Sequence, residues 1–217
     1  MTYPSTLSLP KSKESLRIRR RYDLISRLYD LMQFPLEAIL FARWRRMLFS
    51  QLNGKKMLEI GVGTGKNFKF YPPADSEKFG IDLSEAMLAQ ARVKARKYGL
   101  KINLSVMDLE RLSFSDDSFD QVAGTFIFCT VADPLSCLKE VQRVLKPDGR
   151  LYLVEHMRPE GKALGRFFDW ITPLVRLFGP SLNRRTLENL KQAGFEIERV
   201  QNLFSSIYRC VIARPLK

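Results

Sequence analysis

The chain reads Leu58-Glu59-Ile60-Gly61-Val62-Gly63-Thr64-Gly65 in the stretch that decides its fold. Three glycines at alternate positions follow an apolar run and precede a polar run that is able to form a helix. Glycine allows a tight turn and a close approach to the backbone, because it has no side chain. The pattern predicts a strand, then a bare loop, then the start of a helix.

A second short strand is predicted from Lys78 to Ile81, and Asp82 follows it directly. A carboxylate at this place can accept hydrogen bonds from both hydroxyls of a ribose. Dinucleotide enzymes also combine a glycine loop with a downstream acid, and a structural turn without a ligand is a further alternative. Glu59 argues against a dinucleotide, because its carboxylate would repel a pyrophosphate. It would not repel a ligand that carries sulfonium and ammonium groups.

The pattern Glu-x-Gly-x-Gly-x-Gly resembles motif I of the class I S-adenosylmethionine (SAM) methyltransferases. Later segments fit this family in the same order. A strand from Lys101 to Val106 precedes Met107-Asp108-Leu109, where the family places an acid and a backbone amide on the adenine ring. A fourth strand starting at 118–122 runs into 123–129, which flanks the methyl-donor pocket in such enzymes, and 143–151 ends a helix and opens strand five.

This resemblance covers roughly residues 55–157 and implies a Rossmann-like α/β fold. The expected sheet has seven mostly parallel strands with an antiparallel last strand, and helices on both faces. The resemblance also implies SAM as cofactor, S-adenosylhomocysteine as product, and no metal. The cofactor-binding residues that it implies are Tyr29, Glu59, Gly61, Gly63, Gly65, Asp82, Leu83, Met87, Met107, Asp108, Leu109, Thr125 and Phe126.

The length of 217 residues fits one compact domain with accessory segments. We divide it into a basic helical cap over residues 1–53 and a methyltransferase domain over 54–217, with an insert at 158–182. The sequence has no apolar run of about 18 residues and no signal-peptide core, so we expect a cytoplasmic protein. Its three cysteines lack metal-type spacing and are expected to be reduced thiols.

The positive charge is concentrated in the two ends of the chain. Residues 1–56 carry 12 basic and 4 acidic side chains, residues 57–157 carry 13 and 14, and residues 158–217 carry 11 and 5. Basic flanks around a neutral centre predict contact with an anionic partner, for which nucleic acid and anionic membrane are the two candidates.

Large apolar residues in the flanks favour the membrane. Leu24, Leu28, Leu31 and Met32 share one face of a predicted helix, and Pro35 permits a new helix that continues to Phe49. Basic amphipathic helices of this composition are typical of a lipid headgroup boundary. For residues 36–49 an ordinary capping helix, whose apolar stripe covers the core, is an equal alternative.

An apolar, aromatic segment between Pro159 and Leu182 is not needed by the core fold, because residues 183–193 already supply the helix after strand five. We expect the segment to lie over the strand ends, as a substrate lid or a lipid-facing patch. Strands six and seven are predicted over 195–200 and 206–213.

A narrower resemblance joins the chain to the ubiquinone and menaquinone C-methyltransferases. It rests on Tyr29-Asp30-Leu31-Met32 with Trp44, and on residues 143–155, but the chain departs from the family signatures at Gln33, Glu37, Phe41 and Met157. The segment 155–158, the aromatic insert and 183–186 look more like bacterial phosphatidylethanolamine N-methyltransferases, while thiol methyltransferase-like proteins share the Glu-His ending.

The candidate catalytic residues are Tyr22, Tyr29 and His156. The tyrosines are expected to contact the amine and the sulfonium, since aromatic faces hold cationic nitrogen. His156, at the end of strand five, suits a proton acceptor or a headgroup contact. Packing of Tyr29 against the cofactor, and a structural imidazole at His156, are open alternatives. The residues that suit a lipid phosphate are Arg158, Arg184 and Arg185.

We therefore expect a membrane-associated methyltransferase that acts on the amine of phosphatidylethanolamine, with quinone carbon or a small thiol as the alternative acceptor. An RNA methyltransferase or a noncatalytic SAM-binding module is disfavoured, because bulky aliphatic residues fill the basic flanks and no RNA-binding module is visible. We expect an anionic membrane surface and a phospholipid as partners, no nucleic acid, and a monomer on the inner face of the membrane.

Overall fold

The computed structural model describes residues 12–72, 75–176 and 179–217. Parts of the predicted cap (1–11) and of the predicted insert (177–178) lie outside the described residues. No helix in these described ranges is long and apolar enough to cross a bilayer.

A seven-stranded sheet forms the centre of the molecule, with the strand order β3-β2-β1-β4-β5-β7-β6. Neighbouring strands from β3 to β5 are parallel, and β7 is antiparallel to both β5 and β6. The predicted fold class is therefore confirmed. The strands are β1 (Lys56–Ile60), β2 (Glu77–Asp82), β3 (Asn103–Val106), β4 (Phe119–Thr125), β5 (Leu145–His156), β6 (Phe195–Phe204) and β7 (Tyr208–Pro215).

Six α-helices surround the sheet within the described residues. Ser84 begins α3 and Asp133 begins α4, each accepting hydrogen bonds from backbone amides of the first turn. Asp133 is thus the N-terminal cap of α4. The helices are α1 (Lys13–Leu36), α2 (Ala42–Phe49), α3 (Glu85–Lys97), α4 (Pro134–Val144), α5 (Lys162–Arg176) and α6 (Thr186–Gln192).

The prediction that a new helix starts at Pro35 is wrong, because α1 continues through Pro35 to Leu36. A π-helical turn follows over Glu37–Phe41 before α2 begins. Proline lacks an amide hydrogen and crowds the preceding turn, and the wider turn comes directly after this disturbance. Most of the described part of the predicted insert is helical, since α5 runs through Pro173 to Arg176.

The two faces of the sheet are covered by different helices. Leu138 and Val141 of α4 and Leu190 of α6 belong to one buried cluster with the strands. Trp44 and Leu48 of α2 belong to a second cluster, and Leu88 and Ala91 of α3 belong to a third. The capping interpretation therefore describes α2, whereas the apolar face that was predicted on α1 is exposed to solvent.

Candidate active site

The glycine loop after β1 adopts the left-handed backbone conformation at all three glycines. The φ angles are 64° at Gly61, 56° at Gly63 and 79° at Gly65. A Cβ atom at Gly61 would lie 2.5 Å from Ile127, and one at Gly65 would lie 2.6 Å from Phe68, whereas at Gly63 no atom lies within 4 Å. Gly61 and Gly65 thus allow close packing, and Gly63 leaves open space for a ligand.

Asp82, at the end of β2, fastens this loop to the start of α3. Its Oδ2 accepts a hydrogen bond from the amide of Gly63 at 2.8 Å, and its Oδ1 accepts one from the amide of Ser84 at 2.9 Å. Burial raises the pKa of this carboxyl to about 6. The two amide hydrogen bonds act in the opposite direction and lower the pKa, but burial has the larger effect. The carboxylate is therefore held in one orientation at the end of the strand.

A cavity lies between the glycine loop, the carboxyl ends of β2 and β4, and α1; we call it the glycine-loop cavity. Its volume is about 800 Å³ including the part open to solvent. All of the predicted cofactor-binding residues line it except Glu59 and Gly65. The lining members of that set are Tyr29, Gly61, Gly63, Asp82, Leu83, Met87, Met107, Asp108, Leu109, Thr125 and Phe126.

One face of α1 forms the outer wall of this cavity. The lining residues Ser15, Ile18, Arg19, Tyr22 and Tyr29 recur at intervals that return to the same side of a helix. We predicted only the two tyrosines. The three- and four-residue spacing from Ser15 to Tyr22 is the signal that could have identified the others.

Two carboxylates hold α1 against the rest of the site. Asp23 accepts a hydrogen bond from the hydroxyl of Ser84. Asp30 accepts one from Thr64 at 2.6 Å and forms an ion pair with Lys94. Burial acts to raise the pKa of Asp30, but the hydrogen bonds from Lys94 and Thr64 outweigh it and hold that pKa below its usual value. The charged form of Asp30 is thus stabilised by the attachment of α1.

Glu59 is fully buried behind the glycine loop and outside the cavity lining, so the structure does not bring it together with the other predicted cofactor-binding residues. It accepts hydrogen bonds from Asn67 at 2.6 Å and from the hydroxyl of Tyr71. Burial raises the pKa of its carboxyl to about 7. Arg45 donates to Asn67 and to Thr125, so this polar network positions Thr125 from beneath.

Tyr22 and Tyr29 face each other edge to face in the cavity wall, with ring centroids 6.0 Å apart. Burial raises the pKa of Tyr29 to about 12 and that of Tyr22 further above its usual value. Both phenols therefore stay neutral near pH 7. They can orient a ligand by hydrogen bonds and by their ring faces, but neither supplies a phenolate base.

His156 does not line the glycine-loop cavity. Its ring stacks on Phe168 and meets the edge of Tyr208, with centroids 6.0 and 5.2 Å away. Burial lowers the pKa of the imidazole to about 4, so the ring is neutral. The structure does not bring His156 together with the tyrosines, and its aromatic partners on α5 and β7 agree with the alternative of a structural imidazole; a proton-acceptor or headgroup role for it stays a prediction.

The three predicted arginines lie together at a second cavity, away from the tyrosines. Arg158 pairs with Asp169 at 2.8 Å, and Arg185 lies 3.4 Å from Glu188. Arg184 donates a hydrogen bond to the carbonyl of Val131 at 2.7 Å. Since Val131 also lines the glycine-loop cavity, this hydrogen bond links the two cavities.

Glu155 supports the cavity wall from behind, a role that the sequence analysis did not identify. Its Oε1 accepts hydrogen bonds from the amides of Ile127 at 2.7 Å and Phe128 at 3.2 Å. Burial raises the pKa of this carboxyl to about 8. Because Ile127 lines the cavity, Glu155 shapes the wall next to Thr125 and Phe126.

Known proteins that resemble this chain are methyltransferases with different acceptors. A family model described as "Methyltransferase domain" matches residues 58–153. The ubiquinone/menaquinone biosynthesis C-methyltransferase UbiE of Geotalea uraniireducens is 31% identical over 70% of this chain and 69% of its own length. The thiol S-methyltransferase TMT1B of Rattus norvegicus is 32% identical over 70% and 67%. The phosphatidylethanolamine N-methyltransferase of Cereibacter sphaeroides is 37% identical over 57% and 66%.

Solved structures share the fold at low sequence identity. The geranyl diphosphate C-methyltransferase of Streptomyces coelicolor, solved with S-adenosyl-L-homocysteine, has a TM-score of 0.73 at 14% identity, over 94% of this chain and 98% of its own. The [4+2]-cyclase SpnF has a TM-score of 0.75 at 20% identity, over 94% and 97%. The same fold thus carries more than one reaction.

The described residues fit SAM as the cofactor. Gly63 leaves open space beside the backbone, Asp82 presents a fixed carboxylate for a ribose, and Met107 to Leu109 provide the wall for an adenine ring. The family match and the relatives agree with this geometry. The chain belongs to the class I SAM-dependent methyltransferases.

Proposed function

We propose that this enzyme methylates the amine of phosphatidylethanolamine and of its methylated intermediates at an anionic membrane surface. The observation that carries the proposal is the two-sided character of α1. Its inner face lines the glycine-loop cavity, and its outer face is apolar and exposed. A membrane that binds the outer face would bring lipid amines to the mouth of the same cavity.

Exposed apolar side chains on α1 and α5 define what we call the docking face. Leu24 is 84% exposed and Trp170 is 79% exposed, which is unusual for side chains of this size. An ion pair of 3.3 Å between Arg176 and Glu14 joins the end of α5 to the start of α1. The docking face comprises Leu24, Leu28, Leu31, Met32 and Phe34 on α1, with Leu164, Phe167, Trp170 and Leu174 on α5.

The charge around the docking face favours anionic lipid as its occupant. Arg17, Arg20 and Arg27 on α1 and Arg166 on α5 are exposed beside the apolar residues. Apolar side chains enter the lipid boundary while neighbouring arginines contact the anionic headgroups, which is how basic amphipathic helices bind membranes. A neutral membrane or an apolar protein partner would bind the apolar side chains but would leave the arginines without an anionic partner.

The cavity suits an amine as the methyl acceptor. SAM supplies a methyl group on positive sulfur, so the protein mainly has to align the nucleophile with that methyl group. Tyr22 and Tyr29 can accept or donate a hydrogen bond at the amine and can hold a methylated, cationic nitrogen on their rings. A lipid amine is protonated near neutral pH and attacks through its lone pair only after that proton has passed to water or buffer at the mouth of the cavity.

Transfer to a quinone carbon or to a thiol is the second candidate, because two of the relatives carry those names. Both acceptors react as anions and are helped by a base. The single histidine of the sequence lies outside the cavity lining, and the two tyrosines stay neutral. The lack of a base affects all three acceptors, and the amine is favoured because its methylated, cationic products fit the ring faces of Tyr22 and Tyr29.

The test is incubation of the purified protein with methyl-labelled SAM and vesicles of phosphatidylethanolamine, with and without anionic lipid. We expect label in monomethyl, dimethyl or trimethyl headgroups, and more of it when anionic lipid is present. Absence of lipid label while SAM binding is intact would contradict the proposal.

Variants of the docking face separate membrane binding from catalysis. Leu28→Gln and Trp170→Gln should each weaken sedimentation with anionic vesicles by about tenfold, the value of one apolar side chain leaving lipid. The matched control is Leu216→Gln, where a leucine that is 57% exposed follows β7 at the amino-terminal edge of the parallel strands, opposite the cavity. Equal losses in all three variants would refute the assignment of the docking face.

A further inference from the structure

A second cavity opens beyond the carboxyl end of β5, and we call it the arginine cavity. Its volume is about 830 Å³ including the part open to solvent. The chain brings the lining together from three places: the residues after β5, the start of α6 and the start of β7. Its arginines are Arg158, Arg184, Arg185 and Arg209.

Buried polar atoms in this lining lack hydrogen-bond partners among the residues that the structure describes. They are Arg184 Nε, Thr186 Oγ1 and Arg209 Nη2. Arg209 is only 3% exposed and Thr186 only 1%. Since a buried donor without a partner is costly, three of them around one cavity indicate a ligand that accepts hydrogen bonds.

The charge balance in the arginine cavity is positive. Glu188 lies near Arg185, and Glu160 lies 3.0 Å from Arg209 Nη2 without the geometry of a hydrogen bond. Both glutamates are mostly exposed and free to turn into solvent. Asp169 of α5 already pairs with Arg158, whereas Arg184 donates a hydrogen bond to a neutral carbonyl, that of Val131.

We propose that the arginine cavity binds a phosphate group, with Arg184, Thr186 and Arg209 as its central donors. Guanidinium groups and a hydroxyl match the oxygen atoms of a tetrahedral anion, and these charge-assisted hydrogen bonds are stronger than neutral ones. Under the proposed function, on which this identification rests, the ligand is the phosphodiester of a lipid headgroup. The other source of the same chemistry is free phosphate.

The position of the cavity agrees with a headgroup ligand. Both cavities lie at the carboxyl edge of the parallel strands. Val131 connects them, because it lines the glycine-loop cavity and its carbonyl accepts a hydrogen bond from Arg184 of the arginine cavity. A phosphodiester in the arginine cavity would therefore anchor a lipid next to the site of methyl transfer, and it would contribute to acceptor choice rather than to the chemical step.

The test is calorimetric titration of the full chain with inorganic phosphate and, separately, with glycerophosphoethanolamine, at constant ionic strength. We expect Arg184→Gln to weaken binding of the phosphodiester by about tenfold or more, the usual effect of losing a hydrogen bond to a charged group. Thr186→Val should weaken binding by about threefold or more while leaving the free protein as stable as before, because its hydroxyl has no partner to lose. Arg214→Gln, at an exposed arginine of β7 paired with Glu196, is the matched control and should bind as the wild type does.

The outcomes distinguish this inference from the proposed function. If the wild type binds neither probe, or if Arg214→Gln weakens binding as much as Arg184→Gln, the phosphate site is overturned. If inorganic phosphate binds and the phosphodiester does not, the headgroup assignment is overturned. Binding of the phosphodiester without methylation of phosphatidylethanolamine would support the site and contradict the proposed function.

Discussion

Replacement of Asp82 is the sharpest test of the SAM site. Both carboxylate oxygens accept backbone hydrogen bonds, from Gly63 and from Ser84, and the same carboxylate lies in the cavity wall where a ribose would contact it. In Asp82→Asn the charge is removed and one oxygen becomes an amide nitrogen, so at least one charge-assisted hydrogen bond from a ribose hydroxyl is lost. Such a bond contributes about 1.5–3 kcal/mol, which corresponds to about 10- to 150-fold weaker SAM binding.

Calorimetric titration with SAM and with S-adenosylhomocysteine measures this change directly. Glu85→Gln, at an exposed residue of α3 that pairs with Arg92, is the control and should bind normally. Because the pKa of Asp82 is about 6 in the free protein, wild-type affinity should also fall as the pH drops through 6 and the carboxyl is protonated. Unchanged affinity in a folded Asp82→Asn variant would refute the ribose contact.

Three further predictions concern α1 and the buried titrating groups. Asp30→Asn removes the ion pair with Lys94, so amide hydrogen exchange in α1 should become severalfold faster; unchanged exchange would contradict the role of Asp30 in holding the helix. The pKa of Glu155 is raised to about 8, so its contribution to stability is complete below pH 4.5 and is lost as the pH rises through 8. Urea unfolding should show a decline of about 2–4 kcal/mol over this range that Glu155→Gln reduces, and an equal decline in the variant would disprove the assignment. The pKa of His156 is lowered to about 4, so the folded state loses stability as the pH falls from 6.5 to 4. In urea unfolding, His156→Phe should reduce this loss by about 2 kcal/mol. If the variant shows the full loss, another group is responsible.

The fold and the cofactor site could be predicted because their signals are local. The glycine loop, Asp82 and residues 107–109 each follow a strand directly, and the ends of parallel strands meet at one edge of the sheet. A chain that alternates apolar strands with such endings therefore specifies the cavity without knowledge of distant contacts. The resemblance to the class I methyltransferases then indicates which of these strand ends meet at the cofactor.

The positions of other residues depend on partners far away in the sequence. Glu59 is behind the loop because Asn67 and Tyr71 bind it there, and His156 is held by Phe168 and Tyr208. The position of α1 as the outer wall of the cavity was only partly predictable. Its exposed apolar face was visible in the sequence, but of its cavity-facing side only Tyr22 and Tyr29 were predicted. Long-range packing decides such cases, and one sequence does not display it.

A competition among acceptors tests the central claim most directly. Purified protein would receive methyl-labelled SAM together with anionic vesicles that contain phosphatidylethanolamine, a prenylated quinol and an alkyl thiol in equal amounts. The account predicts that label appears in the lipid headgroups before the other acceptors and that Leu28→Gln lowers this labelling. Label in the quinol or the thiol, with none in the headgroups, would contradict it.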